Sequence, residues 1–354
     1  MKKRFTYTTP ITALLILVLI LGCKSTSTAQ ETNDLATLKV MTWNIWGKLN
    51  LEPRYTIAGK TARQRVIDII KDSKADIITM TETYGSAKAI SEALNYYYYT
   101  PSPDANLTIF SRYPLENFGN IEGLSPFSFI VATAILPSNQ KVRVYNIWLT
   151  SGGRHIVAIK DENLSDAAFN NGDENRYEHI QQLLQHKDFK KDFANRDQIP
   201  VIVAGDFNCV SHLDFTKETK KDGLNFDRLL ANKTAIAMAN AGFTDTYRAT
   251  NTQITKETLG YTWTTVGLEY TYESGMGFVP ITTATHPEPE YRNPFARIDF
   301  IYSIGKSIIP INSKTIMHHK ANLNRSFPEF PSDHGAVLTT FKLNGNQFNL
   351  KLKK

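Results

Sequence analysis

Cysteine is almost missing from this chain: 354 residues contain only Cys23 and Cys209. Two cysteines so far apart, with no histidine cluster at metal spacing, leave no structural zinc site and disfavour zinc altogether. Long hydrophobic runs are missing as well. The apolar run from Ile11 to Leu21 is well short of the roughly 20 residues a helix needs to span a bilayer. No internal repeat, low-complexity tract or break in composition marks a second globular domain. Charge of one sign is scarce too. Removing Lys2, Lys3 and Arg4 with a cleaved leader takes the 40 basic residues to 37 against 34 acidic, near +3. No Lys/Arg cluster stands out elsewhere, so the electrostatic footprint of a protein that grips long nucleic acid is absent. What is present is ordinary for a globular chain, 42% hydrophobic and 21% charged, and far from a disordered composition.

The N-terminus reads as an export signal. Met1 to Arg4 is a basic start, the apolar run follows, and it ends at Ile20-Leu21-Gly22-Cys23. A small residue just before a cysteine resembles the bacterial lipoprotein signal, in which Cys23 is acylated and becomes the new N-terminus. A plain signal peptide with an incidental cysteine is the alternative. The expected organisation is a signal over residues 1–22, a lipidated polar tether over 23–37 and a hydrolase domain over 38–354. The expected location is the cell envelope, anchored to a membrane and facing outside the cytoplasm. With Cys23 lipidated, Cys209 has no intrachain disulfide partner, and the domain depends on its core.

Hydrophobic periodicity then alternates between strand and helix. Leu38–Trp43, Asp76–Met80, Leu107–Phe110, Phe129–Leu136, Val142–Leu149, Pro200–Ala204, Arg297–Ser303 and Gly335–Leu343 read as strands. Ala62–Lys71, Asp173–His186 and Phe226–Asn240 read as helices, the last stopping at Gly242. The four tyrosines Tyr96 to Tyr99 read as a strand with alternate rings buried. Thr244 to Pro294 has no clear period and reads as an irregular excursion over the site. Strands in both halves, with few strict strand-helix-strand repeats, predict two packed sheets with helices outside.

Polar residues collect where these strands end. Asn44, Glu82, Asp206 with Asn208, Asp299, and Asp333 with His334 each interrupt or follow an apolar strand. A carboxylate against an apolar strand is costly unless it is paired or binds a cation. Together the acids and amides form an oxygen-rich set suited to a hard cation such as Mg²⁺, with Mn²⁺ and Ca²⁺ as alternatives. Asp206 and Asn208, two apart, would place an acceptor for a water proton beside an amide donor for a phosphate oxygen. Hydrolysis of a phosphate ester needs that combination of positive charge, donors and one positioned water.

The segments Thr42-Trp43-Asn44, Thr81-Glu82-Thr83, Ser111-Arg112-Tyr113-Pro114, Gly205-Asp206-Phe207-Asn208, Arg297-Ile298-Asp299-Phe300 and Ser332-Asp333-His334 resemble the successive motifs of the endonuclease/exonuclease/phosphatase superfamily. DNase I, abasic-site endonucleases, inositol polyphosphate phosphatases and bacterial sphingomyelinases are its members. The resemblance spans roughly Leu38 to Leu343. It implies an α/β fold, a two-sheet α/β sandwich of the DNase I type with outer helices. It also implies roles: Glu82, Asn44 and Asp333 around the metal, Asp206 on the attacking water, Asn208 on a non-bridging phosphate oxygen, and His334 as a phosphate-binding cation supported by Asp299. One departure stands out. The family's Asn-x-His-Leu pattern reads here Asn146-Ile147-Trp148-Leu149. Tryptophan cannot accept a proton or carry charge, so Asn146, Arg154 and His155 are the candidates for substrate contact.

The function these features predict is metal-dependent hydrolysis of phosphate esters, by a phosphodiesterase or phosphatase, with nucleic acid as one candidate substrate. A non-catalytic envelope lipoprotein that kept the fold and lost activity at Trp148 is the competing expectation.

Overall fold

The computed structural model describes residues 37–47, 59–152, 155–263, 270–273, 277–280, 296–317 and 330–344. Cys23, the signal and tether, Arg154 and the side chain of His155 lie outside the described residues.

In several strands side chains of both alternating sets are buried, which demands cover on two faces. The strands are β1 (Thr37–Asn44), β2 (Ile77–Thr81), β3 (Tyr97–Tyr99) and β4 (Thr108–Ser111). Next come β5 (Leu115–Asn120), β6 (Phe129–Ile135), β7 (Lys141–Trp148), β8 (Val201–Asp206) and β9 (Thr244–Asp245). The chain closes with β10 (Tyr270–Glu273), β11 (Gly277–Pro280), β12 (Asp299–Ile304), β13 (Ile308–Ile316) and β14 (Ala336–Leu343). They form two six-stranded sheets, β13-β14-β1-β2-β4-β3 and β5-β6-β7-β8-β12-β9, with β10-β11 as a separate pair. Each large sheet has one parallel pair at its heart, β1-β2 in the first and β7-β8 in the second.

The alternation sorts the core into layers. Leu38 and Val40 of β1 pack with Ile130, Ala132, Val142, Val144, Ile202, Ala204 and Ile301 in the space between the sheets. The other face of β1 and β2, with Met41, Trp43, Ile78 and Met80, packs on Val66, Ile69 and Ile70 of the helix Ala62–Ser73. That helix starts at a capping box between Thr61 and Gln64, a device that satisfies two otherwise orphaned N–H groups. On the far side, Tyr145, Ile147, Val203, Phe300 and Tyr302 pack against Ile180, Leu183, Phe189 and Met238 of the outer helices. The expected sandwich is the observed architecture.

Several local expectations are corrected. The helix expected over Phe226–Asn240 is a short 3-10 turn at Asn225–Asp227 followed by a helix at Lys233–Asn240. Asn225, Phe226 and Asp227 all sit at positive φ, and Asn232 caps the true helix start through Ala235 N. The tyrosine run does contain β3, but Tyr97 and Tyr98 are 54% and 40% exposed. β3 is a short edge strand, and only Tyr96 and Tyr99 at the ends of the run pack against the core clusters. The excursion after Thr244 opens with β9 and a short helix, Thr246–Thr250, and also holds β10 and β11. Among the described residues no helix is long and apolar enough to cross a membrane.

One glycine is fixed by a close approach. Gly205 lies opposite Ile147 in the parallel pair, at φ +151°, and a Cβ there would meet the Ile147 carbonyl oxygen at 1.9 Å. Gly205→Ala is expected to destabilise the fold by about 2–5 kcal/mol through overpacking and backbone strain. A urea unfolding midpoint measures it; an unchanged midpoint contradicts the packing.

Candidate active site

The inner rows of the sandwich end in polar side chains. Along β1 the inward set runs Leu38, Val40, Thr42, Asn44; along β8 it runs Ile202, Ala204, Asp206; β12 begins with Asp299 on the same inward row as Ile301. Register places Trp148, Asp206 and Asp299 side by side across β7, β8 and β12. Period-two alternation therefore delivers the polar groups to one end of the inter-sheet space.

Asn44 joins the two sheets there. Its Nδ2 donates to Glu82 Oε1 at 3.0 Å and to Asp206 Oδ2 at 3.1 Å, and its Oδ1 accepts from Trp46 N at 2.9 Å. Glu82 follows β2 in a left-handed conformation, φ 58°, held by its N–H donating to Asn106 Oδ1 at 2.8 Å. Asn106 Nδ2 in turn donates to the Phe127 carbonyl at 2.9 Å. Gly47 is required beside it, because a Cβ would meet Glu82 O at 2.3 Å.

Asp206 is 1% exposed. Its Oδ1 accepts from Asn208 N at 2.8 Å, and Oδ2 accepts from Asn208 Nδ2 at 3.0 Å. Burial, then the neighbouring Asp299, push its carboxyl up to about 7, with His334 opposing the shift. Asn208 does not lie on the strand with Asp206; it turns at φ 49°. Its second amide proton goes to the Leu149 carbonyl at 2.8 Å. Both donors of Asn208 are engaged, so here it orients Asp206 rather than presenting a free donor to phosphate.

His334 Nδ1 lies 2.9 Å from Asp299 Oδ2, and its Nε2 lies 4.0 Å from Asp206 Oδ2. Burial opposes its charge, but Asp299, Asp333 and Asp206 outweigh that and raise its pKa to about 10. At neutral pH the imidazole is a cation that donates to Asp299. Arg297 is not the partner of Asp299: it pairs with Asp214 and Asp245. The Ser332-Asp333-His334 turn is bolted to the end of β1. Ser332 Oγ donates to Asn44 O at 2.7 Å, His334 N donates to Ser332 Oγ at 3.0 Å, and Trp43 Nε1 donates to His334 O at 2.8 Å. Asp333 is half-buried; burial pushes its carboxyl up to about 6, His334 opposes and Glu82 adds to the rise.

The donor set fits a hard cation. Asp206, Asp299 and His334 each offer a ligand atom within 4.8 Å of the others. Within that trio His334 Nδ1 is already engaged by Asp299 Oδ2 at 2.9 Å, an ion pair that competes with metal binding. The other available oxygens are Glu82, the second lone pair of Asn44 Oδ1, and the Oδ1 atoms of Asp333 and Asp299, both buried with no hydrogen-bond partner. Such an orphaned carboxylate oxygen is costly without a cation.

Asn146 is elsewhere. It is fully buried one step deeper on β7, and its Nδ2 donates to Met80 O at 2.8 Å and Thr108 O at 3.0 Å. It ties the sheets together and does not face a substrate, which corrects its expected role. Sequence reasoning missed Asn106, Thr262 and Trp263. Thr262 Oγ1 accepts from Ile298 N at 3.0 Å and Asp299 N at 3.1 Å, and Trp263 Nε1 donates to Asp333 Oδ2 at 3.4 Å. All four tryptophans of the chain, Trp43, Trp46, Trp148 and Trp263, stand at this end.

Residues 41–334 match the model of the endonuclease/exonuclease/phosphatase family. An uncharacterised Caenorhabditis elegans protein, F14F9.5, is 25% identical over 353 residues, 94% of this chain and 98% of that one. Truncated TDP2 of Caenorhabditis elegans superposes with a TM-score of 0.51 at 17% identity, covering 86% of this chain and 97% of that one. D. rerio TDP2 complexed with single strand DNA product gives 0.51 at 17% identity, covering 86% and 99%. The match to the family model takes in every residue from Asn44 to His334 that forms the site, and the chain belongs to the endonuclease/exonuclease/phosphatase family.

Proposed function

We propose that this protein is a metal-dependent phosphoric ester hydrolase, tethered through a lipidated Cys23 and working outside the cytoplasm. The observation that carries the reading is the buried pairing of Asp206, a carboxylate held by two asparagines, with the His334 cation beside it. Asp206 takes the proton of the attacking water, oriented by Asn44 and Asn208. His334, kept charged by Asp299, binds a phosphoryl oxygen and stabilises the charge that grows there. Glu82, Asn44 and Asp333 would hold Mg²⁺, which supplies the positive charge a phosphate ester needs before an anionic nucleophile can approach.

Small phosphodiesters or phosphomonoesters are the favoured substrates, because the sequence carries no basic stripe. The single strand DNA product bound to D. rerio TDP2 supports nucleic acid as the second reading. Turnover of bis(4-nitrophenyl) phosphate and 4-nitrophenyl phosphate with Mg²⁺, Mn²⁺ or Ca²⁺ tests the first. EDTA is expected to abolish it, and adding the metal back is expected to change tryptophan emission, since every tryptophan lies at the site. No turnover with any metal or ester would favour the non-catalytic alternative. The anchor is tested separately: Cys23→Ser should release the protein from the membrane fraction.

The pH profile of kcat/KM is expected to be bell-shaped. Asp206 must be ionised, so activity falls on the acid side at or below about 7; a bound cation only lowers that limit. His334 must be protonated, so activity falls again on the alkaline side near about 10. The stability linkage has the same sign for His334. Its folded pKa lies above the ordinary 6.5, so its contribution is complete below that value and is lost as pH rises through about 10. An activity plateau running flat past pH 11 would contradict the imidazolium assignment.

A further inference from the structure

The residue that departs from the family pattern leaves a donor without a partner. The indole Nε1 of Trp148 is buried and makes no hydrogen bond, a costly state for an N–H group. Trp148 is the last residue of β7, in parallel register with Asp206, so both side chains leave the same inward face at the same level. Asn146, two residues back on that face, is fully buried and spends its Nδ2 on the inter-sheet core. The half-buried indole of Trp148 sits between that core and the edge of Phe127, ring centroids 5.2 Å apart at 82°. Phe127 is 45% exposed, and its carbonyl is held by the same Asn106 that holds Glu82 N. The indole is thus held by the core on one side and by Phe127 on the other, beside Asp206 in the strand register. Trp43 gives its N–H to His334 O and Trp263 to Asp333, whereas that of Trp148 is unspent.

We infer that the Trp148 Nε1–H donates to an oxygen of the substrate's phosphoryl group, a neutral replacement for the histidine found at this position in most of the family. The assignment rests on the phosphoester reading of the site. Indole is a donor only, so it binds oxygen in every protonation state of the surrounding acids, but it moves no proton. Asp206 and His334 remain the only titrating groups among those assigned to the substrate.

The test uses the full chain labelled with ¹⁵N-tryptophan, Mg²⁺ and inorganic phosphate. The indole N–H resonance that vanishes in Trp148→Phe is expected to move on phosphate addition, more than those of Trp43 and Trp263. Trp148→Phe keeps a ring against Phe127 and loses the donor. It is expected to lower kcat/KM by about 10- to 100-fold, the worth of one hydrogen bond to a charged group, while leaving the metal titration of tryptophan emission at the same midpoint. Trp148→His, which restores a donor, should recover part of that loss. Turnover by the wild type with an unmoved Trp148 resonance, or full kcat/KM in Trp148→Phe, overturns the inference and leaves the hydrolase reading intact. A wild type that cleaves no ester and binds no phosphate overturns both.

Discussion

Asp206→Asn is expected to lower kcat on bis(4-nitrophenyl) phosphate by about 10²- to 10⁴-fold, the usual worth of a positioned base. The side chain keeps its size but loses its charge. Oδ2 accepts from both Asn44 Nδ2 and Asn208 Nδ2, and an amide nitrogen there would set N–H against N–H. The loss should fall in kcat, with the metal midpoint changed little, because Glu82, Asn44 and Asp333 are untouched. Steady-state kinetics beside a metal titration checks both halves. Global stability should fall by about 1–3 kcal/mol, since either amide orientation sets an N–H against a buried donor, Asn208 N on one side or the two asparagine amides on the other. A variant that retained more than a tenth of wild-type kcat would remove Asp206 from the chemistry.

Arg297→Met is expected to cost about 3–5 kcal/mol of stability, the range for breaking one partner out of a buried ion network. Arg297 is 3% exposed. Its Nε and Nη2 donate to the two oxygens of Asp214 at 2.9 and 3.0 Å, and Nη1 and Nη2 donate to those of Asp245 at 3.0 and 2.7 Å. Arg248 also pairs with Asp214, but Asp245 would be left buried with only the backbone N–H groups of Tyr247 and Arg248. The expected signature is a lower urea midpoint with an unchanged slope. Adding Asp245→Asn to the same chain should restore part of the loss, since the uncompensated charge is what costs most. If Arg297→Met unfolds at the wild-type midpoint, the network contributes nothing to stability.

The parts of this fold that could be read from the residues are those where two faces are buried. β6 and β8 carry nearly continuous apolar runs and β1, β7 and β14 mostly apolar ones, and their positions were recognisable within a residue or two. The strands that escaped are at the edges. β5 has polar Glu116, Asn117 and Asn120 and a register shift between Glu116 and Gly119. β13 holds Pro310, with Ile309 and Ile311 exposed at 44% and 48% and a register shift after Pro310. With solvent or nothing on one side, an edge strand needs no apolar period.

The site was legible for a different reason. Asn44, Asp206 and Asp299 stand at the ends of apolar rows, where a polar side chain has no packing purpose. Asn146 carried the same mark and misled, because an inward amide one step deeper caps carbonyls of β2 and β4. Asn106 and Thr262 gave no signal at all. Each acts through backbone groups of a neighbour far away in the chain, and that kind of partnership leaves no local pattern.

The parallel hearts of the two sheets have one more consequence. Asn44 and Glu82 leave the carboxyl ends of β1 and β2; Trp148 and Asp206 leave those of β7 and β8. The reactive gap is therefore bounded by opposite walls of the sandwich, and its width is the spacing of the layers themselves. A lateral slip of one wall by about 1 Å would misalign the groups, a displacement able to cost about 10²-fold in rate. Catalytic output should then serve as a gauge of how Val40, Ala132 and Ala204 interlock, deep in the body and remote from any substrate.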